Sequence, residues 1–242
     1  MAILEIKNFS KSYRAGVKAV DDLSLAVEPG EIYGFIGHNG AGKTTTIRAV
    51  AGVMDFEEGE IIIDGHSVKD EPLLTKSAVA YIPDSPDIYE YITGIQYLNF
   101  IGDMFGVKKA GREKSVSKFA GVLEMTGALG DLVGSYSHGM RQKLALIGAF
   151  MHEPRLMVLD EPFVGLDPHA SFNMKNMMRG LCDSGGAIFF STHVLEVAEK
   201  LCDGIAIIKN GRLAASGKTD EVLKNGGISL EELFLEVAAR DA

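Results

Sequence analysis

The segment Gly37-His38-Asn39-Gly40-Ala41-Gly42-Lys43-Thr44 constrains this chain more than any other. An apolar run over residues 31–36 precedes it. A helical stripe of Ile47, Val50, Ala51 and Met54 follows, which predicts a helix over residues 43–53. This is the pattern G-x-x-x-x-G-K-[ST] set between a strand and a helix. Glycines let backbone N–H groups turn inward around phosphate oxygens. The helix N-terminus adds partial positive charge, and Lys43 adds a full charge toward the β- and γ-phosphates. The Thr44 hydroxyl is placed for Mg²⁺, and Thr45 for a phosphate. A nucleoside triphosphate with Mg²⁺ is the expected ligand class.

The rest of the chain reads as α/β. Apolar runs over residues 61–63, 156–159, 187–190 and 205–208 alternate with helical patterns, as in a parallel sheet. The last three are continuously apolar, as expected of strands covered on both faces. Residues 3–9 alternate instead and predict a strand with one wetter face. Met140, Leu144, Ile147 and Met151 mark another helix. Ser229 and Glu232 form a capping box ahead of Leu230, Leu233, Phe234 and Val237 on one face. Residues from about 84 to 139 lack a convincing strand and read as a helical insertion. Tyr81, Tyr89, Tyr91 and Tyr97 fall in it or at its entrance, either as core or as a docking surface.

Composition narrows the function classes. The net charge is −9 over 242 residues, so a sequence-independent nucleic-acid binder is disfavoured. Two cysteines, Cys182 and Cys202, cannot build a disulfide framework and fit a reducing compartment or core packing. The first ten residues do not read as a secretory signal. The best membrane-span candidate, residues 144–151, is far shorter than the roughly 20 apolar residues a span needs. A membrane role therefore has to come through a partner.

A phosphate cradle does not choose between a kinase, a GTPase and an ATPase. No N-K-x-D guanine-reading stretch is present. The run over residues 156–159 ends in Asp160 and Glu161. Ligands of open parallel sheets sit at the carboxyl ends of strands. Asp160 is then positioned to hold Mg²⁺ through water, and Glu161 to orient or deprotonate an attacking water. Pro162 makes an N-cap role plausible for one acid, not for both.

With these residues in hand, the chain resembles the nucleotide-binding subunit of an ABC transporter over about residues 4–223. Ser137-His138-Gly139-Met140-Arg141-Gln142 resembles the family signature LSGGQ, with Tyr136, His138 and Met140 in place of Leu, Gly and Gln. Gly165-Leu166-Asp167 resembles the D-loop, His193 the switch histidine, and Tyr13 the aromatic that stacks on adenine. Asp84 stands where the family commonly has a Gln that reaches Mg²⁺ and the attacking water.

The resemblance implies a P-loop cassette with a mostly parallel core sheet, an N-terminal antiparallel β region and a helical subdomain insertion. It implies a core at about 1–84 and 152–223, a helical subdomain at about 85–151 and a helical tail at about 224–242. ATP would be sandwiched between the cradle of one cassette and the signature of another, in a homodimer or a heterodimer. Ser137 and Gly139 would touch the γ-phosphate. An integral membrane subunit would be the transport partner, which places the chain in the cytoplasm, peripheral on the membrane face. The signature style, with Asp84, looks like bacterial export-type subunits. The alternative is a soluble ATPase of the same type serving assembly or repair.

Overall fold

A computed structural model describes residues 1–14, 16–224 and 227–239. The chain begins with strands β1 (Leu4–Arg14), β2 (Val17–Val27) and β3 (Ile32–Ile36), then helix α1 (Lys43–Val50). Next come β4 (Glu58–Ile63), β5 (His66–Ser67), α2 (Pro72–Ala78) and β6 (Val79–Ile82). The helices α3 (Gly94–Met104), α4 (Lys109–Val122) and α5 (His138–Met151) follow. Then β7 (Leu156–Asp160), α6 (Pro168–Asp183), β8 (Ala187–Thr192), α7 (Leu195–Leu201) and β9 (Gly204–Lys209) alternate. The chain closes with β10 (Arg212–Lys218), α8 (Thr219–Lys224) and α9 (Leu230–Ala239). Of the tail expected at 224–242, residues 225, 226 and 240–242 lie outside the described residues.

The strands form two sheets. One is antiparallel, in the order β2-β1-β4-β5. The other runs β10-β9-β3-β8-β7-β6 and is parallel except for β10 at its edge. The expected mostly parallel core and antiparallel N-terminal region are both present. Successive side chains of a strand point to opposite faces. Tyr33, Phe35, Val158 and Phe189 accordingly face a core shared with the antiparallel sheet and α1. Ile32, Ile36, Leu159 and Phe190 face a second core, built with α5, α6 and the helical segment. Both faces are dry, which is why these strands read as continuous apolar runs.

Helix α1 stops three residues short of the expected Val53. Gly52 adopts φ +63°, and the N–H groups of Gly52 and Val53 bond back to Ala49 and Arg48 at 3.1 Å each. A left-handed glycine ends the helix there. The capping box at Ser229 forms: Ser229 N donates to Glu232 Oε2 at 2.8 Å, and Glu232 N to Ser229 Oγ at 3.2 Å. The tyrosines divide between the two readings. Tyr89 and Tyr91 are exposed, whereas Tyr81 and Tyr97 are partly buried. Among the described residues, no helix is long and apolar enough to cross a membrane.

Candidate nucleotide site

The parallel strands deliver their following residues to one edge of the sheet. Gly37–Gly42 follow β3, Asp84 follows β6, Asp160 ends β7 with Glu161 just beyond it, and His193 follows β8. A cleft of about 460 Å³ opens there. Its lining includes Tyr13, His38, Asn39, Gly40, Gly42, Lys43, Thr44, Thr45, Asp84, Asp160 and Glu161. Gly37 and Ala41 are buried behind that lining. A larger, more apolar cleft of about 540 Å³ lies between α4 and α6, beside Phe119 and Phe150. It carries none of the motif residues, so size does not decide between the two.

Two glycines of the cradle are fixed by their surroundings. Gly42 caps α1 at φ +112°, and a Cβ there would sit 2.7 Å from the Ala19 carbonyl oxygen. A Cβ on Gly37 would sit 2.7 Å from the Ile208 carbonyl oxygen. Only glycine lets the loop pass this closely. Ala41 N donates to the His38 carbonyl at 3.1 Å and closes the turn. Lys43 Nζ donates to the carbonyls of Gly37 at 2.7 Å and His38 at 3.4 Å.

The ammonium of Lys43 also lies 3.5 Å from Glu161 Oε1. The other oxygen, Glu161 Oε2, meets His193 Nδ1 at 2.9 Å and the His193 backbone N–H at 3.3 Å. The Glu161 carboxylate therefore spans the cradle lysine and the histidine after β8. Its backbone is held at φ +48°, a left-handed conformation uncommon for a side-chain-bearing residue. Ser191 supports the pair of acids. Its Oγ donates to Asp160 Oδ1 and accepts from Glu161 N at 3.1 Å. Sequence reading passed over Ser191 in this role. Its only signal is the pairing of Ser191 with Asp160 across β7 and β8, and that register is a tertiary fact.

Thr44 is exposed to the cleft, while Thr45 is buried with its Oγ1 3.2 Å from the Tyr13 hydroxyl. Tyr13 itself is 61% exposed at the lip, its hydroxyl also 3.1 Å from Met54 Sδ. Among the described residues, no group of three or more His, Cys, Asp or Glu is poised around a metal. Thr44, Asp160 and Asp84 line the same cleft. That sparse oxygen set fits Mg²⁺, which keeps waters and is bound through one or two carboxylates plus substrate phosphates.

The signature and D-loop residues do not line this cleft. Ser137 caps α5, accepting from Met140 N at 3.3 Å. Asp167 caps α6, accepting from Ala170 N at 2.7 Å and pairing with Lys143 at 3.1 Å. The backbone bond first, then the lysine, holds its carboxyl below the usual range. Gln142 Nε2 donates to the Pro162 carbonyl at 2.8 Å, and His138 packs against Gly165. Helix α5, which carries the signature, is thus fastened to the loop that leaves Glu161. Gly139 and Met140 lie in its first turn.

The chain can now be set beside known proteins. It matches the family described as ABC transporter over residues 20–164. The ABC-type transporter ATP-binding protein EcsA of Bacillus subtilis (strain 168) is 34% identical, over 100% of this chain and 99% of its own length. The linearmycin resistance ATP-binding protein LnrL of the same organism is 31% identical, over 96% of this chain and 74% of its own. A solved ATP-binding subunit of an ABC transporter superposes with a TM-score of 0.93 at 35% identity, covering 98% of this chain and 99% of that one. The chain belongs to the ABC transporter family, as one of its ATP-binding subunits.

Proposed function

We propose that the chain hydrolyses ATP at two composite sites of a cassette dimer and so drives a solute outward through a separate membrane subunit. The observation that carries this reading is the Glu161 carboxylate, held between Lys43 and His193 at the mouth of the cleft. On this reading Lys43 leaves the Gly37 and His38 carbonyls and turns to the β- and γ-phosphates. Thr44 and Asp160, with Asp84 beside them, would hold Mg²⁺, which neutralises charge on the phosphates. Glu161 then orients the attacking water and takes its proton, with His193 fixing the carboxylate and the γ-phosphate. Tyr13 stacks on adenine.

One chain holds one cradle and one signature, on separate surfaces. Ser137, His138, Gly139 and Met140 would therefore close on the nucleotide of a second cassette, with Asp167 at the seam. Scission of the γ-phosphate removes contacts that favour the closed pair, and the pair opens. Residues at about 85–151 would transmit this motion, with the exposed Tyr89 and Tyr91 toward the membrane partner on the cytoplasmic face. The outward direction draws support from the relative named for linearmycin resistance, since moving a toxic compound out is a direct route to resistance.

Glu161→Gln tests the chemistry. It should still bind ATP, lose turnover by about 100-fold or more, and accumulate a closed dimer on gel filtration. Full turnover would remove Glu161 from its role.

A further inference from the structure

Helix α9 reaches the cradle from far away in the sequence. The Phe234 ring packs on the His38 ring, with centroids 4.5 Å apart and planes inclined at 51°. His38 is otherwise exposed, so Phe234 is its aromatic neighbour across the loop. The peptide of His38 is a working part of the cradle. Its carbonyl accepts from Ala41 N at 3.1 Å and from Lys43 Nζ at 3.4 Å. Holding the ring restricts the peptide, and the peptide holds the turn closed by Ala41, which stays in place when Lys43 turns to the phosphates.

The helix is anchored by two further hydrogen bonds. Lys209 Nζ, at the end of β9, donates to the Val237 carbonyl at 2.7 Å. The turn after β9 returns to the cradle, where Gly211 N donates to the Ala41 carbonyl at 3.0 Å. A closed circuit therefore runs from Ala41 through Gly211, β9, Lys209 and α9 to Phe234, His38 and back to Ala41. At its other end, Leu230 N donates to Glu199 Oε2 at 3.1 Å, on the α7 segment that follows His193. Leu230 and Val237 are buried, so α9 is packed down and not merely resting on the surface.

We propose that α9 is the positioning element of the phosphate loop, with Phe234 setting the loop through His38. This rests on the reading of the cleft as a Mg²⁺–ATP site. Phe234 does not line the cleft and acts only through its neighbour. An aromatic pair of this kind carries enough energy to shift an equilibrium severalfold.

The test is the dissociation constant and stoichiometry of Mg²⁺–ATP on the full chain, by titration. Phe234→Ala should weaken binding about threefold to tenfold at unchanged stoichiometry. Phe234→Tyr should restore it. His38→Ala should weaken binding too, and the double variant should lose no more than the larger single loss. Lower stoichiometry with an unchanged constant would mean that Phe234 only supports folding, and would overturn the proposal. So would unchanged binding in Phe234→Ala, or additive losses in the double variant. If the parent chain bound no Mg²⁺–ATP, the nucleotide reading itself would fall and take this role with it.

Discussion

Tyr13 reaches the cleft with its ring in the open and its hydroxyl tethered to Thr45 and Met54. A stacking role needs the ring, not the hydroxyl. Tyr13→Ala should weaken ATP binding by about 1–3 kcal/mol, while Tyr13→Phe keeps most of it. Equal losses in an equilibrium titration would assign the effect to the hydroxyl instead. The cradle was legible because its parts are consecutive: glycines, lysine and threonine define the loop in one stretch of sequence. Asp160 and Glu161 were legible because they end an apolar run. Ser191 was not, because its work depends on which strand lies beside β7. Phe234 was not either, since nothing in a capping box or an apolar stripe says which distant loop the helix meets.

Elements follow the same division. Four strands of the large sheet, β3, β7, β8 and β9, announced themselves through dry faces on both sides; the short β6 and the edge strand β10, whose residues alternate between exposed and half-buried, did not. Strand β2 did not, because its pairing with β1 shifts register repeatedly and Asp22 sits at φ +55°. Such bulges erase the alternation that marks a strand. The junction of α3 and α5 hides a further property. His152 ends α5 with its ring stacked on Phe105 at 3.8 Å, and both ring nitrogens are buried without a partner. Burial pushes its pKa down to about 4. In the unfolded chain the ring takes its proton near the ordinary histidine value of about 6.5. Between those values the unfolded state binds more protons, so stability falls as pH drops from about 6.5 to 4 and levels off below. With an allowance for partial exposure, the loss is about 2 kcal/mol. Urea unfolding of His152→Leu should show a correspondingly smaller loss between pH 7 and pH 4.5 than the parent chain. Identical losses would contradict the assignment.

At the scale of the whole molecule, cleft and signature lie apart on one chain, and the proposed sandwich needs a second copy or a related cassette. In a two-fold dimer each copy offers both surfaces. Lys43→Ala disables a chain's own cradle, and Ser137→Arg disables the signature it offers its partner. Mixed in equal amounts, these two inactive variants should recover about a quarter of parental ATPase activity, since half the dimers regain one of two sites. No recovery, with mixed dimers shown to form, would rule out composite sites between copies of this chain. A last consequence concerns heat. Glu161 bends the backbone into a shape that suits glycine, at a position from which its carboxylate reaches both Lys43 and His193. Glycine ordinarily melts a protein sooner than alanine does. Here the order should reverse, with Glu161→Gly outlasting Glu161→Ala by about 1 kcal/mol in thermal denaturation while both stand idle as catalysts. Of these two replacements the backbone prefers glycine, and a screen for thermal tolerance would rank it above alanine without registering that the carboxylate's chemistry has gone.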